Sequence, residues 1–197
     1  MSRLEDNFRK VEPYVPGEQP NLPDMVKLNT NENPYPPSPK VAEALQKFEL
    51  DSLRLYPDPA STDLVNALAE RYHVQAGVGS DDVLAIAFLT FFNSGKPILF
   101  PDITYSFYDV WAELFQIPYE RPALDDAFAL RLEDYQCENG GIVIANPNAP
   151  TGIRQSEEFL RAVIEANPNV VVIIDEAYAD FSGYTALPLV DEYENVV

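Results

Sequence analysis

Short apolar runs alternating with helical segments are the feature that most restricts what this chain can become. "KPILFPD" predicts a strand, "TYSFYDVWAELF" a helix capped by Thr104 or Ser106, and "IPYERPAL" another strand. "FALRLEDYQ" predicts a short strand leading into a helix, and "GGIVIANPNAPTG" a strand ending in a turn. "SEEFLRAVIEANP" follows as a helix and "NVVVIIDEAYADF" as a strand rich in β-branched residues. Ahead of them, the glycine turn in "GVGSDDVLAIAFLTFF" opens an apolar helix from about Asp81 to Phe92. Such alternation implies a mostly parallel sheet flanked by helices, an α/β fold. The closing "YENVV" looks like the start of one more strand.

The first part of the chain is of another kind. Prolines crowd residues 11–39, in "PYVPGEQPNLPD" and "NENPYPPSP", and predict an extended arm, because proline fixes its own φ and biases the residue before it. Two helices follow. "SPKVAEALQKF" has Ser38 as N-cap, Pro39 in the first turn and Val41, Ala44, Leu45 and Phe48 on one face. "STDLVNALAERYHV" has Ser61 as cap, with Leu64, Val65, Leu68 and Tyr72 at helical spacing. The expected organisation is an arm over 1–37 and one domain over 38–197.

With 13 Lys and Arg against 32 Asp and Glu, the chain carries −19, which argues against nucleic acid or an anionic membrane as partner. No eighteen-residue apolar run occurs, and "MSRLEDNFRK" lacks the apolar core of a signal peptide, so a cytoplasmic location is expected. The lone Cys137 predicts no internal disulfide, and the lone His73 is expected to pack or face solvent rather than ligate.

Four stretches have residue types suited to chemistry. Asp175 ends the strand Val170–Ile174, and ligands of parallel sheets gather beyond the carboxyl ends of strands, where a carboxylate can face a bound cation. Its neighbour Glu176 is expected to begin a solvated loop. "GVGSDD" sets glycines and Ser80 before a helix, whose free N–H groups favour phosphate. "ANPNAPTG" forms a turn at a neighbouring strand's end. In "TYSFY" most rings should face a core, while Tyr105 at the helix mouth can stack on a flat heteroaromatic ring. No glycine-rich loop precedes a lysine, which excludes the phosphate loop of nucleotide hydrolases, and no G-x-G-x-x-G appears.

Taken in order, "KLNTNENPYPPSP", "YPDP", "GSDD", "PDITYSFY", "NPNAPTG" and "DEAYADF" resemble the N-terminal half of histidinol-phosphate aminotransferases, from about Lys27 to Val197. These are pyridoxal 5′-phosphate enzymes of the aspartate-aminotransferase fold, and the resemblance implies its large domain, truncated. It implies that Asp175 bonds the cofactor's pyridine nitrogen, that Tyr105 stacks on the ring and that Tyr178 reaches the ring's phenolic oxygen. It further implies that Ser80 and Asp81 hold the phosphate mainly through backbone N–H groups, and that Tyr56 reaches the phosphate in the partner subunit of a homodimer. Asn29, Asn31 and Asn33 resemble residues near the substrate. Where the family often has an Asn before Pro-Thr-Gly, this chain has Ala149, and Asn148 or Asn146 is the expected substitute; Asp82 stands for the more usual Glu.

In that family a Ser-x-x-Lys segment, whose lysine forms the Schiff base, comes after the last strand seen here. None of Lys10, Lys27, Lys40, Lys47 and Lys96 lies in such a motif, so the chain is expected to be an inactive part of the enzyme. The full enzyme would exchange an amino group between glutamate and imidazole-acetol phosphate in histidine biosynthesis. Threonine-phosphate decarboxylases and aromatic aminotransferases would share nearly all these motifs. A module that only binds a phosphate ligand, or pairs with a lysine-bearing subunit, is the alternative from another class.

Overall fold

The computed structural model describes residues 15, 17–18, 22, 25–29, 31–72 and 79–197. His73, Gly77 and Val78 lie outside the described residues. The chain divides into two compact units, Val15–Ala76 and Gly77–Val197.

In the first unit, helix α1 spans Pro39–Gln46, and the Ser38 hydroxyl accepts from the Lys40 N–H as the cap signal predicts. A 3₁₀ turn, Leu50–Arg54, leads to helix α2, Thr62–Tyr72. The capping bond to the Thr62 N–H comes from Asp58, which also accepts from Ala60 N–H. The apolar face of α1 remains exposed at Val41, Leu45 and Phe48.

The second unit starts at Gly79, whose φ of +85° is a conformation that side chains disfavour, and enters helix α3, Ser80–Phe91. Strand β1, Ile98–Leu99, is followed by helix α4, Phe107–Phe115, and strand β2, Tyr119–Glu120. Strand β3 is Gly141–Ala145, helix α5 Glu157–Ala166, strand β4 Val172–Asp175 and helix α6 Leu187–Glu192. The four strands are parallel in the order β2-β1-β3-β4. The first strands are short because Pro97, Pro101, Pro118 and Pro122 flank them and offer no N–H to a ladder.

Alternation along the strands divides the core in two. Ile98, Phe100, Val143, Ala145 and Ile173 pack on one face with Phe88 of α3 and Tyr108 and Trp111 of α4. Leu99, Ile142, Ile144 and Val172 pack on the other with Leu160, Val163 and Ile164 of α5 and Leu189 of α6. A sheet covered on both sides needs strands apolar at every position, which is why β3 is buried throughout.

Two expectations change. Residues 128–131 form no strand: the Asp125 carboxylate accepts from the N–H groups of Ala127 and Ala129, Phe128 adopts φ +59°, and the chain passes into a 3₁₀ turn at Leu132–Tyr135. Ser106, one of the two expected caps, takes the N-cap position of α4, but its side chain makes no cap bond, and the Thr104 hydroxyl is used elsewhere. The closing residues do add to the sheet, since Val196 bridges Val172 in parallel and Ile174 N–H donates to Val197 O.

Candidate functional site

In the order β2-β1-β3-β4 the chain first turns to one side of β1 and then to the other. The loops leaving β1 and β3 therefore part at their carboxyl ends, the place where parallel sheets take ligands. A cavity lies there, lined by Ser80, Tyr105, Pro147, Ala149, Asp175 and Tyr178, with Ala145 and Ala177 completing its wall.

Each lining residue is placed by local structure. Asp175 closes β4 in register with Ala145 of β3, and the two-residue period turns it to the same face as Ile173, toward α4. Glu176 therefore turns the other way. It accepts from the Thr185 hydroxyl and the Ala186 N–H just before α6, so it serves as a helix-end acceptor and not as a solvated loop start. Tyr105 lines the cavity with its ring stacked on Phe107 at 5.6 Å and its hydroxyl donating to Asp81 Oδ1 at 2.8 Å. Ser80 and Asp81 form the first turn of α3, which has no side-chain cap at Gly79, so its leading N–H groups remain available to an anion.

The Asp175 carboxylate is held from two sides. Oδ1 accepts from Ala177 N–H at 3.0 Å, and Oδ2 accepts from the Tyr108 hydroxyl at 2.6 Å. Tyr108 is fully buried, and burial together with the charge of Asp175 pushes its phenol well above the ordinary range. Tyr108 was legible only as one more core ring. The available signal was its place one helical turn after Tyr105 on an apolar face, where a buried hydroxyl requires a partner.

Asn148 does not face the cavity. Its Oδ1 accepts from the Thr104 hydroxyl at 2.8 Å, and its Nδ2 donates to Ile103 O at 2.9 Å and Thr151 Oγ1 at 3.2 Å. It clasps the loop after β1 to the turn after β3, and Ala149 presents its methyl to the cavity instead. Asn146 is buried and accepts from Gln155 N–H, so it does not replace the family's amide either.

The remaining candidates lie in the first unit. Tyr56 is 99% exposed. Asn29 donates to Glu18 O and Asn33 accepts from Tyr35 N–H, both within the arm, while Asn31 takes a left-handed φ of 53°. In the larger unit the described residues contain one lysine, Lys96, which precedes β1 at the opposite end of the sheet and pairs with Glu138 at 2.7 Å. Among the described residues no group of His, Cys, Asp and Glu could hold a metal ion, and no helix is long and apolar enough to cross a membrane.

The lining suits a flat, cationic heterocycle with a phosphate tail: an acid at the inner end, an aromatic ring on a wall and an uncapped helix start. Residues 23–197 match the family model for aminotransferase class I and II. The chain is 50% identical over 198 residues to histidinol-phosphate aminotransferase from Lactococcus lactis subsp. cremoris (strain MG1363), covering 98% of this chain and 56% of that protein. It is 52% identical to histidinol-phosphate aminotransferase from Pseudomonas putida (strain W619), covering 100% of this chain and 58% of that one. It thus spans just over half the length of these curated relatives. The crystal structure of histidinol-phosphate aminotransferase from Sinorhizobium meliloti in complex with pyridoxal-5'-phosphate shares the fold, with a TM-score of 0.66 and 23% identity over 77% of this chain and 44% of that chain.

Proposed function

Because the chain belongs to the aminotransferase class I and II family, we propose that its strand-end cavity is a cradle for pyridoxal phosphate within a histidinol-phosphate aminotransferase. The whole protein would exchange L-histidinol phosphate and 2-oxoglutarate for imidazole-acetol phosphate and L-glutamate. Half-identical relatives of that name across nearly the whole chain support this substrate choice. The observation that carries the reading is Asp175, a carboxylate at the sheet's carboxyl edge with both oxygens already hydrogen-bonded and a cavity in front of it.

Pyridoxal phosphate, when bound, supplies the electron sink that accepts charge as the substrate loses its α-proton. The chain's own residues bind and tune. Asp175 keeps the proton on the pyridine nitrogen, and its partly desolvated position makes that contact stronger than it would be in water. The N–H groups of Ser80 and Asp81 meet the phosphate at the positive end of α3. Tyr105 covers the ring and Tyr178 donates to its phenolic oxygen. Asn148 acts at one remove by fixing the loop before Tyr105, and Ala149 leaves the ring oxygen without an amide donor on that side.

The arm, with Asn29, Asn31 and Asn33, contributes to the substrate side. The exposure of Tyr56 suits a residue that reaches the phosphate of a second subunit, as a homodimer in the cytoplasm would require. Among the described residues no lysine lines the cavity.

Calorimetric titration with pyridoxamine phosphate, which needs no lysine, tests the cradle directly. The chain should bind it, and Asp175→Asn should weaken binding by about tenfold or more. Failure of the chain to bind would sink the reading. In the whole protein, turnover of threonine phosphate or aromatic amino acids in place of histidinol phosphate would overturn the substrate assignment.

A further inference from the structure

We infer that Tyr108 is the positioning residue for Asp175, holding that carboxylate in place before any cofactor arrives; the inference rests on the cofactor reading above. The bond from Ala177 ties Oδ1 only to the acid's own loop. Tyr108 ties Oδ2 to a separate element, α4, through a ring that has no room to move. That ring is fully buried, stacked on Phe88 at 6.0 Å and edge-on to Phe100 at 5.7 Å, with Trp111 at 6.3 Å. Both partners of the carboxylate are donors, one N–H and one O–H, so each oxygen is held as an acceptor from a different direction. The same phenol stands edge-on to Tyr105 at 5.7 Å and 86°, so one buried side chain sets the acid and the aromatic wall relative to each other. Its hydroxyl does not line the cavity, which distinguishes its role from that of a ligand-contacting group.

The test uses the chain itself, Tyr108→Phe, and two ligands: pyridoxamine phosphate and an analogue whose ring nitrogen is replaced by C–H. The variant keeps the ring, so its thermal unfolding and Trp111 emission should match the parent. Binding of pyridoxamine phosphate should weaken by about tenfold, and binding of the C–H analogue should stay within about twofold. Equal weakening of both ligands would reduce Tyr108 to packing, and no weakening of either would remove it from the site altogether.

A readout without ligand is the NMR chemical shift of the Asp175 carboxyl carbon at neutral pH, which reports the hydrogen bond from Tyr108 to Oδ2. That shift should move in Tyr108→Phe as the bond is lost, and an unchanged shift overturns the inference. If the parent chain binds neither ligand, the cofactor reading fails, and this spectrum still decides whether Tyr108 holds Asp175.

Discussion

Replacing Asn148 by alanine separates a residue that touches a ligand from one that holds the walls in place. The substitution removes three side-chain hydrogen bonds, of 2.8, 2.9 and 3.2 Å, and leaves the backbone bonds of residue 148 to Ile153 and Gly152 intact. At about 1 kcal/mol net each, with both threonine hydroxyls free to turn to other partners, the loss comes to about 2–3 kcal/mol. Trp111, the sole tryptophan, packs beside Tyr105 and Tyr108 and reports this part of the core by fluorescence. With a urea slope of about 2–3 kcal/mol/M, the midpoint should fall by about 1 M at unchanged slope. Pyridoxamine phosphate should bind more weakly than to the parent but better than to Asp175→Asn. Full stability combined with abolished binding would mean that the amide contacts the ligand, and the clasp would be refuted.

Three further outcomes follow from other parts of the larger unit. Gly140→Ala places a Cβ 2.4 Å from the Lys96 carbonyl, a backbone atom that cannot step aside, so thermal unfolding should show a loss of about 2 kcal/mol or more. Tyr135→Phe removes a buried hydroxyl that has no partner among the described residues, so urea unfolding should show stability unchanged or raised by up to about 1 kcal/mol. Burial raises the phenols of Tyr108 and Tyr135 above their unfolded value, so they leave stability unaffected below about pH 10 and the fold loses stability as pH climbs from there toward their folded values. An ultraviolet titration of the 11 tyrosines should leave these two un-ionised until the chain unfolds, and smooth ionisation of all 11 with the fold intact would contradict this.

The sequence spoke most clearly where one local rule was unopposed. Five β-branched residues running into Asp175 announce both a buried strand and an acid at its end, and the two-residue period then decides which face the acid meets. Ser38 and Pro39 likewise announce a helix start that nothing contradicts. The failures have tertiary causes. Residues 128–131 carry an apolar pattern, yet Asp125 captures the N–H groups of Ala127, Phe128 and Ala129 into a turn. Asn148 was expected at the cofactor, but side-chain direction in a turn depends on backbone angles, and its partners Ile103 and Thr104 lie more than forty residues earlier. Tyr108 was hidden for the same reason, because its acceptor is 67 residues away and no local pattern points to it.

The central claim is that Asp175 faces the protonated nitrogen of a pyridine ring. It is tested most directly by pyridoxamine phosphate carrying an isotopic label at that nitrogen, bound to the chain and followed by NMR as the pH is raised. The account predicts that the nitrogen keeps its proton to a higher pH than in the free ligand, and that Asp175→Asn abolishes the difference. A bound nitrogen that deprotonates with the free ligand, or one that is indifferent to Asp175→Asn, would contradict it.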